Sequence, residues 1–110
     1  MMAMKRTLTA PECMDYFFRT REKFNARVVG VYSQVVNAHC NFMGYRVTYC
    51  RYLLKMLPER IAMVEFLLEH FDCIPDTLPI HRDYLECDHA HLLAYRDKVE
   101  EYLRNPYVYR

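Results

Sequence analysis

The chain has no tryptophan, two glycines and one serine among its 110 residues. So few glycines leave no room for Gly-x-Gly-x-x-Gly or any phosphate-cradling glycine loop. An enzyme built on a glycine-rich cofactor site is thereby excluded. The single serine, Ser33, lies in Val31-Tyr32-Ser33-Gln34-Val35, without the glycines of a nucleophile elbow. Flexible linkers and disordered tracts need the opposite composition, so the chain is expected to be ordered over most of its length.

Cys-x-x-Cys is also missing. The five cysteines (Cys13, Cys40, Cys50, Cys73, Cys87) are odd in number and irregularly spaced, which argues against a disulfide framework. Met1 to Arg6 carries no apolar stretch of the signal-peptide kind, and no apolar run approaches the roughly 18 residues that cross a bilayer. These features lead to the expectation of a cytoplasmic protein in a reducing compartment, with its cysteines acting as small buried hydrophobes.

The most telling absence is acidic. No Asp or Glu occurs between Glu22 and Glu59, a stretch that contains Arg27, Arg46, Arg51 and Lys55. Residues 1 to 58 hold nine Lys/Arg against three Asp/Glu, and residues 59 to 110 hold six against eleven. A pI near 7.7 thus conceals a basic half followed by an acidic half. Such asymmetry bears on partners more than on fold.

What is present reads as helix. Thr9-Ala10-Pro11-Glu12 is a capping-box start, with Pro11 in the first turn. Met14, Phe17, Phe24, Val28, Val31, Val35 and Phe42 follow at helical spacing. One helix from 10 to 41 would run about 48 Å. A compact domain of this size has a diameter of only about 34 Å. A break at Gly30 is therefore expected, the alternatives being an elongated molecule or an oligomer that covers the overhang.

Residues 44 to 57 fit a helix, while Tyr45, Val47 and Tyr49 also alternate as a strand would. Pro58-Glu59 is expected to open a further helix with Ile61, Val64, Leu67, Leu68 and Phe71 inward. Asp72 to Pro79 is a connecting loop. A last helix from about 80 to 104 places Ile80, Tyr84, Leu92, Tyr95, Val99 and Tyr102 on one stripe before Asn105-Pro106 stops it. The predicted fold is a single all-α domain, residues 1 to 110, of four to five helices. The alternative is α+β with a small hairpin around residues 27 to 50.

Several polar clusters invite a chemical reading. His70 with Cys73 and Cys87 with His91 are two helix-compatible pairs, a ligand set that zinc accepts. Glu86-x-x-His89 has di-iron spacing but occurs once, where such sites need two copies and further carboxylates. His39 and Cys40 are adjacent, which on a helix turns them about 100° apart and prevents a direct base–nucleophile pair. No metal or cofactor is expected, and a small zinc-stabilised domain is retained as an alternative.

The partner-binding residues are expected to be Tyr45, Arg46, Tyr49, Arg51, Tyr52 and Lys55, where cations alternate with aromatics. Basic side chains with aromatic faces suit phosphates and bases, but a nucleic-acid domain usually has a pI above about 9. Ten tyrosines and six phenylalanines also exceed what a small helical core absorbs. Tyr102, Tyr107 and Tyr109, with Arg104 and Arg110, have the composition of a contact patch.

The function expected from these residues is non-enzymatic: stoichiometric binding to a protein partner with an acidic surface. The chain would act as an adaptor, as an inhibitor of the kind phages direct at host machinery, or as one unit of a homodimer. A nucleic-acid-binding module using residues 45 to 55 is the main alternative, and no membrane association is expected.

Overall fold

A computed structural model describes residues 8–37 and 43–104. They form three long helices: α1 (Ala10–Asn37), α2 (Met43–Glu69) and α3 (Pro79–Arg104). A single 3₁₀ turn (Phe71–Cys73) follows α2. The class is all-α, with three helices in place of four to five, and no strand occurs among the described residues.

Two expected breaks do not occur. Gly30 lies inside α1, which continues through it to Asn37, and a Cβ there would meet nothing within 4 Å, so it neither ends the helix nor answers a packing need among the described residues. The mismatch between helix length and globule is met by elongation, since the molecule measures 50 × 28 × 21 Å. Pro58 does not open a helix; it lies within α2 on the solvent side. The bond it cannot make to the Leu54 carbonyl is thus lost where water can replace it.

The start of α1 is as its sequence suggests. Thr9 N–H donates to Glu12 Oε1 at 3.0 Å, and Glu12 N–H donates to Thr9 Oγ1 at 3.3 Å, a reciprocal capping box. Leu78 N–H donates to His81 Nδ1 at 3.0 Å and caps α3 in a related way. In between, Asp76 adopts φ 64°, a left-handed conformation that aspartate tolerates better than most residues and that turns the chain into α3.

Cross-helix pairs give the topology. Arg27 meets Tyr52 and Arg60 meets Phe17, so α1 and α2 are antiparallel. Glu65 meets His89 and Arg46 meets Tyr102, so α2 and α3 are antiparallel too. Arg21 meets Asp88 and Tyr32 packs on Tyr95, which makes α1 and α3 parallel neighbours. The result is an up-down-up bundle in which α2 carries much of the packing. Phe17, Val28 and Val35 of α1, Leu53, Leu57, Val64 and Leu67 of α2, and Leu85, Leu92 and Val99 of α3 fill its axis.

Cys13 and Cys50 belong to that core, whereas Cys73 and Cys87 are exposed, contrary to the expectation that the cysteines are buried. Cys40 lies outside the described residues. Burial pushes the Cys50 thiol up from 9.0 to about 11, against an opposing pull from Arg46. Burial also raises Cys13, opposed by Arg60. An unfolded thiol ionises around pH 9 while these stay protonated, so their contribution is present below pH 9 and declines above it, for Cys50 until the pH reaches about 11. For Cys50 the loss amounts to about 2–3 kcal/mol. Urea midpoints should therefore drop between pH 8.5 and pH 10.5, and Cys50→Ala should make the drop shallower. Equal slopes for the two proteins would contradict this.

Candidate interaction surface

Folding the acid-free stretch in half places its two arms side by side. Its first arm is the C-terminal part of α1 and its second the N-terminal part of α2, and the antiparallel packing aligns residues 23–27 with 52–56. The seam between them opens into a groove of about 310 Å³ lined by Thr20, Lys23, Phe24 and Arg27 from α1 and by Tyr52 and Met56 from α2. Phe24 and Met56 are half-buried, and Tyr52 is 41% exposed. Arg27 Nη1 donates to the Tyr52 hydroxyl at 3.4 Å across the seam.

Two cations, Lys23 and Arg27, line the α1 wall of this apolar floor, and two more stand nearby on the solvent side of α2. Lys23 and Arg27 stand one turn apart on α1, and Arg51 and Lys55 one turn apart on α2, all exposed. None of these four forms an ion pair with a carboxylate among the described residues. Elsewhere Arg19, Arg21, Arg82, Arg96 and Lys98 each face Asp15, Asp88, Glu86, Asp97 and Glu101 in turn.

A further cation lies beneath the groove. Arg60 is 4% exposed, and its guanidinium sits 4.4 Å from the Phe17 ring centroid and 4.6 Å from that of Phe24. It donates to the Phe17 carbonyl at 3.0 Å and to Thr20 Oγ1 at 2.9 Å, and the Thr20 hydroxyl donates onward to the Tyr16 carbonyl at 2.8 Å. Desolvation pulls the Arg60 pKa down to about 10, against the opposing influence of Tyr16, Asp88 and Cys13. It remains a cation at neutral pH, one hydroxyl away from the groove wall.

The expected partner-binding residues thus divide. Arg51, Tyr52 and Lys55 share the exposed side of α2, and Tyr52 enters the groove. Tyr49 is half-buried and packs on the core. Arg46 is 4% exposed, with Nε donating to the Val35 carbonyl at 3.1 Å and its guanidinium 5.0 Å from the Tyr102 ring. Its charge is used inside the bundle. The side chain of Tyr45 lies outside the described residues, as do Tyr107, Tyr109 and Arg110. From sequence, Lys23 draws no attention and Phe24 reads only as part of the apolar stripe of α1. Their signal was the i, i+4 spacing of Lys23 and Arg27 on a helix that must turn back on α2.

The other clusters come apart in space. Cys87 Sγ lies 3.8 Å from His91 Nδ1, but His70 Nδ1 is 3.0 Å from the Phe66 carbonyl. Among the described residues no group of three or more His, Cys, Asp or Glu is placed to hold a metal ion. Glu86 pairs with Arg82 on its own helix and His89 with Glu65 of α2, so the Glu-x-x-His residues serve different neighbours. No described helix is long and apolar enough to cross a membrane.

Comparison with protein families, curated proteins and solved structures returns no match.

Proposed function

We propose that the chain is a non-enzymatic binding module whose α1–α2 groove receives an acidic surface of a protein partner, in a stoichiometric adaptor or inhibitor complex. The observation that supports this reading is an apolar, aromatic floor walled by the exposed Lys23 and Arg27, with Arg51 and Lys55 exposed on the same helix as Tyr52, none of the four ion-paired to a carboxylate among the described residues. A surface helix with acidic flanks could press apolar residues onto Phe24, Tyr52 and Met56 while its carboxylates meet Lys23 and Arg27 on one side and Lys55 on the other. Such charges mainly accelerate encounter and select the partner, and the apolar floor supplies the lasting contact.

A phosphate backbone fits less well. Arg46, one of three cations in the 46 to 55 segment, is occupied inside the bundle. Glu59 follows Lys55 one turn later on the same exposed side of α2. A duplex tracks cations over a longer line than this groove offers.

Purification of the tagged chain from its native cell, with and without nuclease, separates the two readings. A protein captured in near-equal amount after nuclease treatment is the expected result. Loss of all captured material on nuclease treatment would transfer the role to nucleic acid.

A further inference from the structure

The acidic half of the chain offers a surface that matches the groove, and it faces away from it. On α3, Asp83, Glu86, Ala90, Ala94, Asp97 and Glu101 recur at steps of 3, 4, 4, 3 and 4, which places them on one stripe. All six are exposed, and the stripe lies opposite the buried Leu85, Leu92 and Val99. Its middle is small and flat at Ala90 and Ala94, and its two ends are carboxylates. The carboxylates are only loosely engaged. Glu86 pairs with Arg82 at 3.4 Å, Asp97 with Arg96 at 3.6 Å and Glu101 with Lys98 at 3.6 Å, all exposed pairs of the kind that contribute little.

The groove cannot reach this stripe within one molecule. Residues of α1 on the side of α3 include Phe18, Arg21, Asn25 and Tyr32, whereas Lys23 and Arg27 line the flank shared with α2. The basic groove and the acidic stripe therefore occupy opposite sides of the bundle.

We infer that the groove's occupant is the α3 stripe of a second copy of this chain, an inference that rests on the groove being an acid-binding surface. Ala90 and Ala94 would let the incoming helix approach Tyr52 and Met56 closely, with carboxylates meeting the groove cations on either side. Two different patches on opposite sides make a heterologous contact, which continues from copy to copy unless it closes into a ring. Self-association is thus head-to-tail and weakened by salt, in place of a closed two-fold dimer.

Sedimentation of two neutralised variants tests this. One, Lys23→Gln/Arg27→Gln/Lys55→Gln, removes the two cations that line the groove and the neighbouring Lys55. The other, Asp83→Asn/Glu86→Gln/Asp97→Asn/Glu101→Gln, removes the stripe charge. The substitutions lie on exposed positions, and unchanged helical circular dichroism confirms folding. Wild type at about 100 μM and low salt should exceed dimer mass and return to 13.4 kDa when the salt is raised to screening strength. Each variant alone should remain at 13.4 kDa. Their equimolar mixture retains one intact groove and one intact stripe, so it should stop at twice that mass. Wild type that stays monomeric throughout, or a mixture that does not associate, overturns the inference.

Titration with a short poly-L-glutamate separates its failure from that of the groove reading. Binding lost only in the groove variant, with a monomeric wild type, overturns the second-copy inference and leaves the acid-binding groove standing. No binding and no association overturns both.

Discussion

Arg21→Ala should be the most damaging single surface-reaching substitution in the bundle, at about 3–5 kcal/mol. Arg21 Nε and Nη2 donate to the two oxygens of Asp88 at 2.7 and 2.8 Å, a bidentate geometry that fixes α1 against α3. The Asp88 side chain is 4% exposed, so without Arg21 a carboxylate is left in the interior with its fork of donors gone. The guanidinium also covers the Tyr84 ring at 4.6 Å. The thermal midpoint should fall by about 10–20 °C. Arg21→Met combined with Asp88→Leu should recover most of the loss, because the cost comes from stranding a charge and not from the absence of the pair. A double variant as unstable as the single one would show that the charges themselves are needed.

Arg60 provides the second large effect, with the opposite lesson. It is buried, and among the described residues no carboxylate pairs with it and no hydrogen-bond acceptor reaches its Nε. Rings and a few oxygens hold it instead. Arg60→Ala removes the stack between Phe17 and Phe24 and the donors to the Phe17 carbonyl and Thr20. A loss of about 2–4 kcal/mol is expected. Arg60→Met keeps most of the volume and eliminates the cost of a desolvated cation. It should lie within about 1 kcal/mol of wild type by urea denaturation. Equal losses for the two variants would contradict a packing role for the side chain.

Much of the bundle was legible because its signals are local. Thr9 and Glu12 cap α1 as their spacing requires, and the 14-to-35 stripe supplies Phe17, Val28 and Val35 to the axis. Residues 44 to 57 are helical, and the loop before Pro79 is where its prolines suggest.

The errors arose where tertiary packing overrides a local preference. Pro58 and Gly30 discourage helix only through an unmade bond or excess backbone freedom, each worth a few kcal/mol or less. Both sit on solvent-facing sides of helices secured by buried neighbours such as Leu57, Ile61, Val28 and Val35. On α3, Ile80 and Tyr84 proved exposed at 51% and 41% while Leu85 and Asp88 are inside. A stripe can be rotated by part of a turn when its end residues lie at the margin of the bundle.

The candidate surface was half legible. The acid-free stretch leads to the α1–α2 seam, where Tyr52 lines the groove and Arg51 and Lys55 are exposed on the same helix. Arg46 differs because its position aligns with Cys50, Leu53 and Leu57 on the inward side, and it found an acceptor in the Val35 carbonyl and a ring in Tyr102. The contribution of Lys23, Phe24 and Arg27 emerges only when α1 folds back on α2, a pairing between residues some thirty positions apart.

Nuclease-treated capture from the native cell, run side by side with the wild-type chain and Lys23→Gln/Arg27→Gln/Tyr52→Ala, tests the binding role most directly. The expected result is a protein, whether foreign or a second copy of the chain, retained by wild type and reduced about tenfold or more with the variant. Capture unchanged by these three substitutions would contradict the assignment of the groove as the binding surface.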